Sequence, residues 1–146
     1  MKLLFILALS CALQITNSTI FEAEKGNLNV ELKNVNSEKG GKIYIAVFNK
    51  KETFMTNDFY KSYIVEVKGD NMTSSMTIED LPYGEYVISA YHDTNNNQTM
   101  DFDANGMPQE SWAMSGSANP YARPSWDTSK IEVKKEKQKI DLYFFD

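Results

Sequence analysis

An antiparallel β-sandwich is the fold class this sequence predicts, and three observations point to it. Apolar residues recur at every second position in several short runs. Turn residues separate these runs at hairpin-like distances, and no long stretch carries a helical period. About seven strands fit the 146 residues, enough chain for one domain with its own core.

Leu28, Val30 and Leu32 alternate with Asn27, Asn29, Glu31 and Lys33, the mark of a half-buried strand. The Gly40-Gly41 turn leads into residues 42–48, apolar on both faces as in a central strand. Residues 50–61 have room for a short helical turn. Tyr63, Val65 and Val67 then alternate with Ile64, Glu66 and Lys68, and Gly69-Asp70-Asn71 makes a turn. Met72, Ser74, Met76 and Ile78 share the next face, and Leu81-Pro82-Tyr83-Gly84 turns into a strand carrying Tyr86, Ile88 and Ala90. Ile131 and Val133, and then Ile140, Leu142 and Phe144, complete the set, with the charged residues 134–139 read as their hairpin connection.

The N-terminus reads as a targeting segment. Lys2 precedes an almost unbroken apolar run over residues 3–13, too short to span a bilayer and built like a secretory signal peptide. Ser18 and Ala23 are small residues suited to cleavage within residues 18–24. The division is a signal peptide over residues 1–18, its end lying as late as 23, and a single domain over 19–146. An uncleaved anchor, or a lipoprotein attached at Cys11, are the competing readings. Cys11 is the only cysteine, so the chain after cleavage has no thiol and no disulfide. That chain is expected in the periplasm or outside the cell, with no integral membrane segment.

The formal net charge is -5 and no basic patch stands out, which excludes nucleic acid as an expected partner. His92 is the only histidine, and its neighbour Asp93 would point to the opposite face of a strand, so the two cannot form a catalytic dyad. His92 reads as a structural residue bonding loop backbone. Without a cysteine in the cleaved chain, a second histidine or a nucleophile motif, the chain is not expected to be an enzyme.

Residues 92–129 show no strand pattern, and a connection of that length is functional or disordered. Phe102, Trp112, Tyr121, Trp126, Met107 and Met114 make it too apolar for a disordered linker. Seven of the thirteen residues 93–105 are Asp or Asn. Asp93, Asn95, Asn97 and Asp101 match the first, third, fifth and ninth positions of an EF-hand loop, with the Thr99 carbonyl available between the last two. Calcium wants six to eight oxygens, and a curled loop delivers them from alternate side chains. Gln98 replaces the turn glycine, Ala104 the bidentate glutamate, and a strand the leading helix, so this is not an EF-hand. A second frame begins at Asp101, with Asp103, Asn105 and Gly106 spaced correctly but Trp112 at its twelfth position, and Glu110 is near enough to complete either cage if the chain folds back. The expected calcium ligands are thus Asp93, Asn95, Asn97, Thr99, Asp101, Asp103 and Glu110. A polar turn without metal is the competing reading, because Asx residues bond their own backbone.

Leu81-Pro82-Tyr83-Gly84-Glu85-Tyr86-Val87 resembles the turn-and-strand signature of transthyretin-like and carboxypeptidase-regulatory β-sandwiches. Further matches are His92-Asp93-Thr94-Asn95-Asn96-Asn97, Met100-Asp101, Asn105-Gly106-Met107-Pro108-Gln109-Glu110 and Arg123-Pro124-Ser125-Trp126. Together these make residues 28–144 resemble the exported bacterial family named domain of unknown function 2141. The resemblance implies an exported immunoglobulin-like or transthyretin-like sandwich and no established activity. Gln98 stands where that family commonly has glycine.

Two function classes follow. One is a non-catalytic binding or structural module with calcium shaping a presented loop. The other is a carbohydrate-binding or hydrolase accessory domain using Trp112 and Trp126 as a stacking platform, with Tyr121 beside them and Arg123 placed to stack or to pair with an acid. A glycan or a cell-envelope protein is the corresponding partner. An exposed row of aromatics favours the second class, and burial of both tryptophans the first.

Overall fold

The computed structural model describes residues 24–69, 75–117 and 119–145. The expected signal segment, with Cys11, and Met72 of the fourth expected strand lie outside the described residues. The period-two pattern is realised as strands β1 (Lys25–Lys33), β2 (Lys42–Phe48), β3 (Lys61–Glu66), β4 (Ser75–Pro82) and β5 (Gly84–Asp93). Next come β6 (Trp112–Met114), a one-turn helix α1 (Trp126–Ser129), β7 (Ile131–Val133) and β8 (Lys137–Tyr143). The short helical turn expected within 50–61 is a 3-10 turn at Lys51–Thr53.

These strands form two open sheets. One has the order β4-β1-β8; the other has the order β3-β2-β5-β6, with β7 also pairing with β5. Leu28, Val30, Ile78 and Leu142 from the first sheet share one buried cluster with Ile43, Ile45, Val47, Tyr86, Ile88 and Ala90 from the second. Burial of these side chains is the main stabilising term, each worth about 1.5–3 kcal/mol for the larger ones. The chain passes from β4 to β5 through Tyr83 alone, whose N–H donates to Glu24 O at 2.8 Å. Pro82 ends β4, an outer strand, where a residue without an N–H breaks no ladder.

Three sequence expectations change. The last two strands are not a hairpin: β7 pairs antiparallel with β5, while β8 pairs with β1 in the other sheet. That β1–β8 pair is parallel, so the architecture is not wholly antiparallel. Residues 134–139 are correspondingly not a pure connection, because Lys137, Gln138 and Lys139 already belong to β8. Their polar alternation hid the strand, since one face of it is solvent-exposed. The third change is β6, which lies inside the segment read as strand-free. Its three residues are too few for a period-two signal.

Strand β5 is covered on both sides. Tyr86, Ile88 and Ala90 face the shared core, whereas Val87 joins Phe48, Met114 and Trp126 in a second buried cluster on the outer face. Trp126 is 7% exposed and meets Phe54 edge-on, with ring centroids 6.1 Å apart. Ser115 extends the ladder beyond β6: Ile88 N–H donates to its Oγ at 2.9 Å, and that hydroxyl donates to Ser129 O at 2.7 Å. Gly116, at φ 74, passes so close to the end of α1 that a Cβ would stand 2.6 Å from Thr128 O. The long connection is thereby packed onto the outer face of the second sheet.

On the outer side of the first sheet, Glu31 of β1 accepts from Lys33 on its own strand and from Lys139 on β8. The two ammonium groups hold its carboxyl down to about 2 from an ordinary 4.5. A depressed carboxyl contributes stability that is complete above its unfolded value and is lost as pH falls through the folded one. The melting temperature of the wild type is expected to exceed that of Glu31→Gln near pH 6. The gap should close between pH 4.5 and 2. Parallel thermal-melt profiles across that window would show that the pairs add nothing to the β1–β8 junction.

Candidate functional site

The site begins where β5 ends. Asp93 is the last residue of that strand, opposite Lys42 in the β2–β5 register, and is 0% exposed. Gly41, at φ 83, runs beside it, and a Cβ there would stand 2.2 Å from Asp93 O. Glycine is needed at that position for both reasons. His92 is buried next door. Its backbone N–H donates to Ser111 O at 2.8 Å, and its Nε2 lies 2.6 Å from Gly40 O, the loop-backbone role expected of it.

Beyond Asp93 the chain curls around its own side chains. The Asp93 carboxylate accepts from Asn97 N–H at 3.2 Å and from Gln98 N–H at 2.9 Å. Asn95 Oδ1 accepts from Asn97 N–H at 3.0 Å, and Asn97 Oδ1 from Thr99 N–H at 2.9 Å. Each is an Asx turn, the local bonding that Asp and Asn offer a loop. The curl needs a left-handed residue at the sixth position, and Gln98 takes it with φ 67. The amides of Asn95 and Asn97 donate to the Asp101 carboxylate at 2.7 and 2.9 Å.

Glu110 does fold back. It is buried, and its carboxylate accepts from Thr94 N–H at 3.1 Å and from Asp101 N–H at 3.4 Å. It therefore ties the entrance of the loop to Asp101. Asp103 stands apart in a separate turn, accepting from Asn105 and Met107 N–H groups at 2.8 Å each. The Met107 bond, followed by those from Asn105 and Gly106, lowers its carboxyl below the ordinary range. Of the expected ligands, Asp93, Asn95, Asn97, Asp101 and Glu110 belong to one connected loop, joined through Asn97 Oδ1 by the Thr99 N–H. No three His, Cys, Asp or Glu side chains among the described residues group as a metal site. The donor set the loop does offer is carboxylate and amide oxygen, the hard-oxygen chemistry that suits calcium. No ion pair among the described residues involves Asp93, Asp101 or Glu110.

A second feature lies between this loop and the outer face of β5 and β6. It is an apolar groove of about 670 Å3. Its walls include Met100, Phe102, Met107 and Pro108 from the loop, Trp112 and Met114 from β6, and Met55 and residues 120–124 opposite. Tyr91 of β5 lines it too and stacks on Tyr44 with centroids 5.2 Å apart. Burial, then the Asp93 charge, pushes the Tyr91 phenol up to about 12. Met55, Phe102 and Met107 are exposed, and Tyr121 is 94% exposed. Such an apolar concavity with few polar groups is the usual form of a small-molecule site.

The aromatic residues named from the sequence divide. Trp126 is buried beneath the connection and offers no stacking face, while Trp112 is half-buried in the groove against Phe145, 5.3 Å away. Sequence reasoning missed Met55 and Met100 as members of a site. Its only available signal was methionine density: four of the chain's seven methionines line the groove.

Glycine at position 98 is expected to stabilise the protein. A side chain in the left-handed region costs about 1–2 kcal/mol, against the roughly 0.5–1 kcal/mol entropic cost of glycine. Gln98→Gly should therefore gain about 0.5–1 kcal/mol in denaturant unfolding. A loss of stability would mean that Gln98 is not left-handed in solution.

No helix among the described residues is long and apolar enough to cross a membrane. No curated protein and no solved structure matches the chain. A family model does, over residues 30–141, and its description is an uncharacterized protein conserved in bacteria. That span takes in most of both sheets, the curled loop and the groove, and on it this chain belongs to the family of domain of unknown function 2141.

Proposed function

We propose that this protein is an exported, non-catalytic binding module with an immunoglobulin-like or transthyretin-like sandwich. Its long connection, shaped by calcium, presents the apolar groove. One observation carries the reading: the loop that gathers the buried acids Asp93 and Glu110 also supplies Met100, Phe102, Met107 and Pro108 to the groove wall. Buried carboxylates are ordinarily paired with a cation or bind a metal. These two have hydrogen bonds from backbone and no ion pair among the described residues. The Asx turns and the left-handed sixth residue reproduce the curl of a calcium loop without its terminal glutamate, and Glu110 reaches back in its place.

Asp93, Asn95, Asn97, Asp101, Glu110 and the Thr99 carbonyl would hold the ion, with Asp103 as a further candidate. Bound calcium would neutralise the acids and order the wall. A turn closed by hydrogen bonds alone has its own support, because the Asn95 and Asn97 amides already donate to Asp101. Carbohydrate or hydrolase-accessory binding draws less support. The groove is mostly apolar, and Trp126 is buried, which leaves Trp112 and Tyr121 for a glycan or a cell-envelope protein.

Thermal melts in calcium and in chelator test the ion. Calcium at about 100 times its dissociation constant should stabilise the fold by about 2.7 kcal/mol, and magnesium much less. Asp101→Asn should remove the shift and leave the protein folded. Identical melts, with no heat in titration calorimetry, would leave the hydrogen-bonded turn as the answer. Export is tested by intact mass after secretion from a bacterial host. Cleavage within residues 18–24 is expected, and retention of residues 1–13 would refute it.

A further inference from the structure

We infer that the groove takes a small amphipathic anion, an unbranched alkyl carboxylate whose chain lies among the methionines and whose head pairs with Arg123. This deepens the binding-module reading and rests on it. Four observations on the groove lead here. The first is charge: among the described residues no acidic side chain lines the groove, and Arg123 is the one charged residue that does. The second is that Arg123 is the chain's single arginine, exposed and without a hydrogen bond or ion pair among the described residues. A guanidinium presents a planar fork of donors that fits a carboxylate in two parallel bonds.

The third observation is the lining. Methionine is unbranched and polarisable and repacks around flexible apolar chains. Met55, Met100, Met107 and Met114 surround the space with Phe102 and Trp112. The fourth is preorganisation. Three of the four prolines, Pro108, Pro120 and Pro124, stand in the wall. Their fixed φ lowers the ordering cost of binding. A volume of about 670 Å3 falls inside the range of small-molecule pockets, roughly 300–1,000 Å3.

Decanoate, decanol and decyltrimethylammonium, three molecules with one tail and different heads, test the inference below their micelle concentrations. Titration calorimetry and the emission of Trp112, which lines the groove, report binding to the purified protein. Decanoate should bind one to one and at least about tenfold more tightly than decanol, a difference of about 1.4 kcal/mol, with the cation weakest. Arg123→Gln should reduce decanoate to the affinity of decanol and leave decanol unchanged. Met107→Glu, at an exposed position on the wall, should weaken decanoate most. If decanol binds and decanoate binds no better, the anion inference falls and the binding groove stands. If none of the three binds and Trp112 emission is unmoved, both fall. If anionic vesicles bind through Arg123 and free decanoate does not, the groove is a membrane contact and the inference is overturned.

Discussion

The placement of β5 is the constraint on which the rest of the structure depends. It has neighbours along both edges, β2 on one and β6 with β7 on the other, and apolar cover on both faces. A strand buried on both faces must carry apolar residues almost continuously, and residues 86–90 do so with Ser89 alone as the break. The first sheet covers the inner face. Something else must cover the outer face, and the long connection does, with Trp126 set on Val87 and Met114. The groove is the part of that cover left open.

The same strand fixes the chemistry at its end. Extended backbone carries His92 and Asp93 out of the core still fully buried, so the loop starts from a charge with no access to water. The first turn of the loop answers that charge with two N–H groups, and Glu110 returns to answer the N–H groups of Thr94 and Asp101. An acidic curl and an apolar wall are consequently made by one stretch of chain.

Much of this was legible in the residues. Period-two alternation located β1 and β3, and near-continuous apolar runs located β2 and β5, because each has an apolar face and those faces form the shared core. Spacing of Asp93, Asn95 and Asn97 anticipated the curl, since Asx turns are local and need no tertiary information. Pairing was not legible. Nothing in Ile140 and Leu142 says whether they bond to β7 nearby or to β1 far away, because the choice is made by the two-sheet packing. β6 was hidden by its brevity, and the groove by its composition from four separated segments. Arg123 shows the limit most clearly: between Tyr121 and Trp126 it reads as a stacking or pairing residue, and folding buries Trp126 while Arg123 remains at the rim.

The parallel pairing of β1 with β8 also governs how the chain reaches this fold. Asn27 lies beside Lys137 and Lys33 beside Tyr143, so the middle strand of the first sheet has one edge open until almost all of the chain is present. Contacts of such long sequence separation carry a large loop-closure cost before they return any energy, and they place all-β domains in the millisecond-to-second range of folding times. During that interval β1 offers its unpaired N–H and C=O groups to any other extended chain. The closing strand carries lysines at 137 and 139, and β1 carries Lys25 and Lys33, charges that discourage pairing between copies while the correct edge is still on its way. Folding order and solubility of the nascent chain are thus set by the same two strands that seal the core.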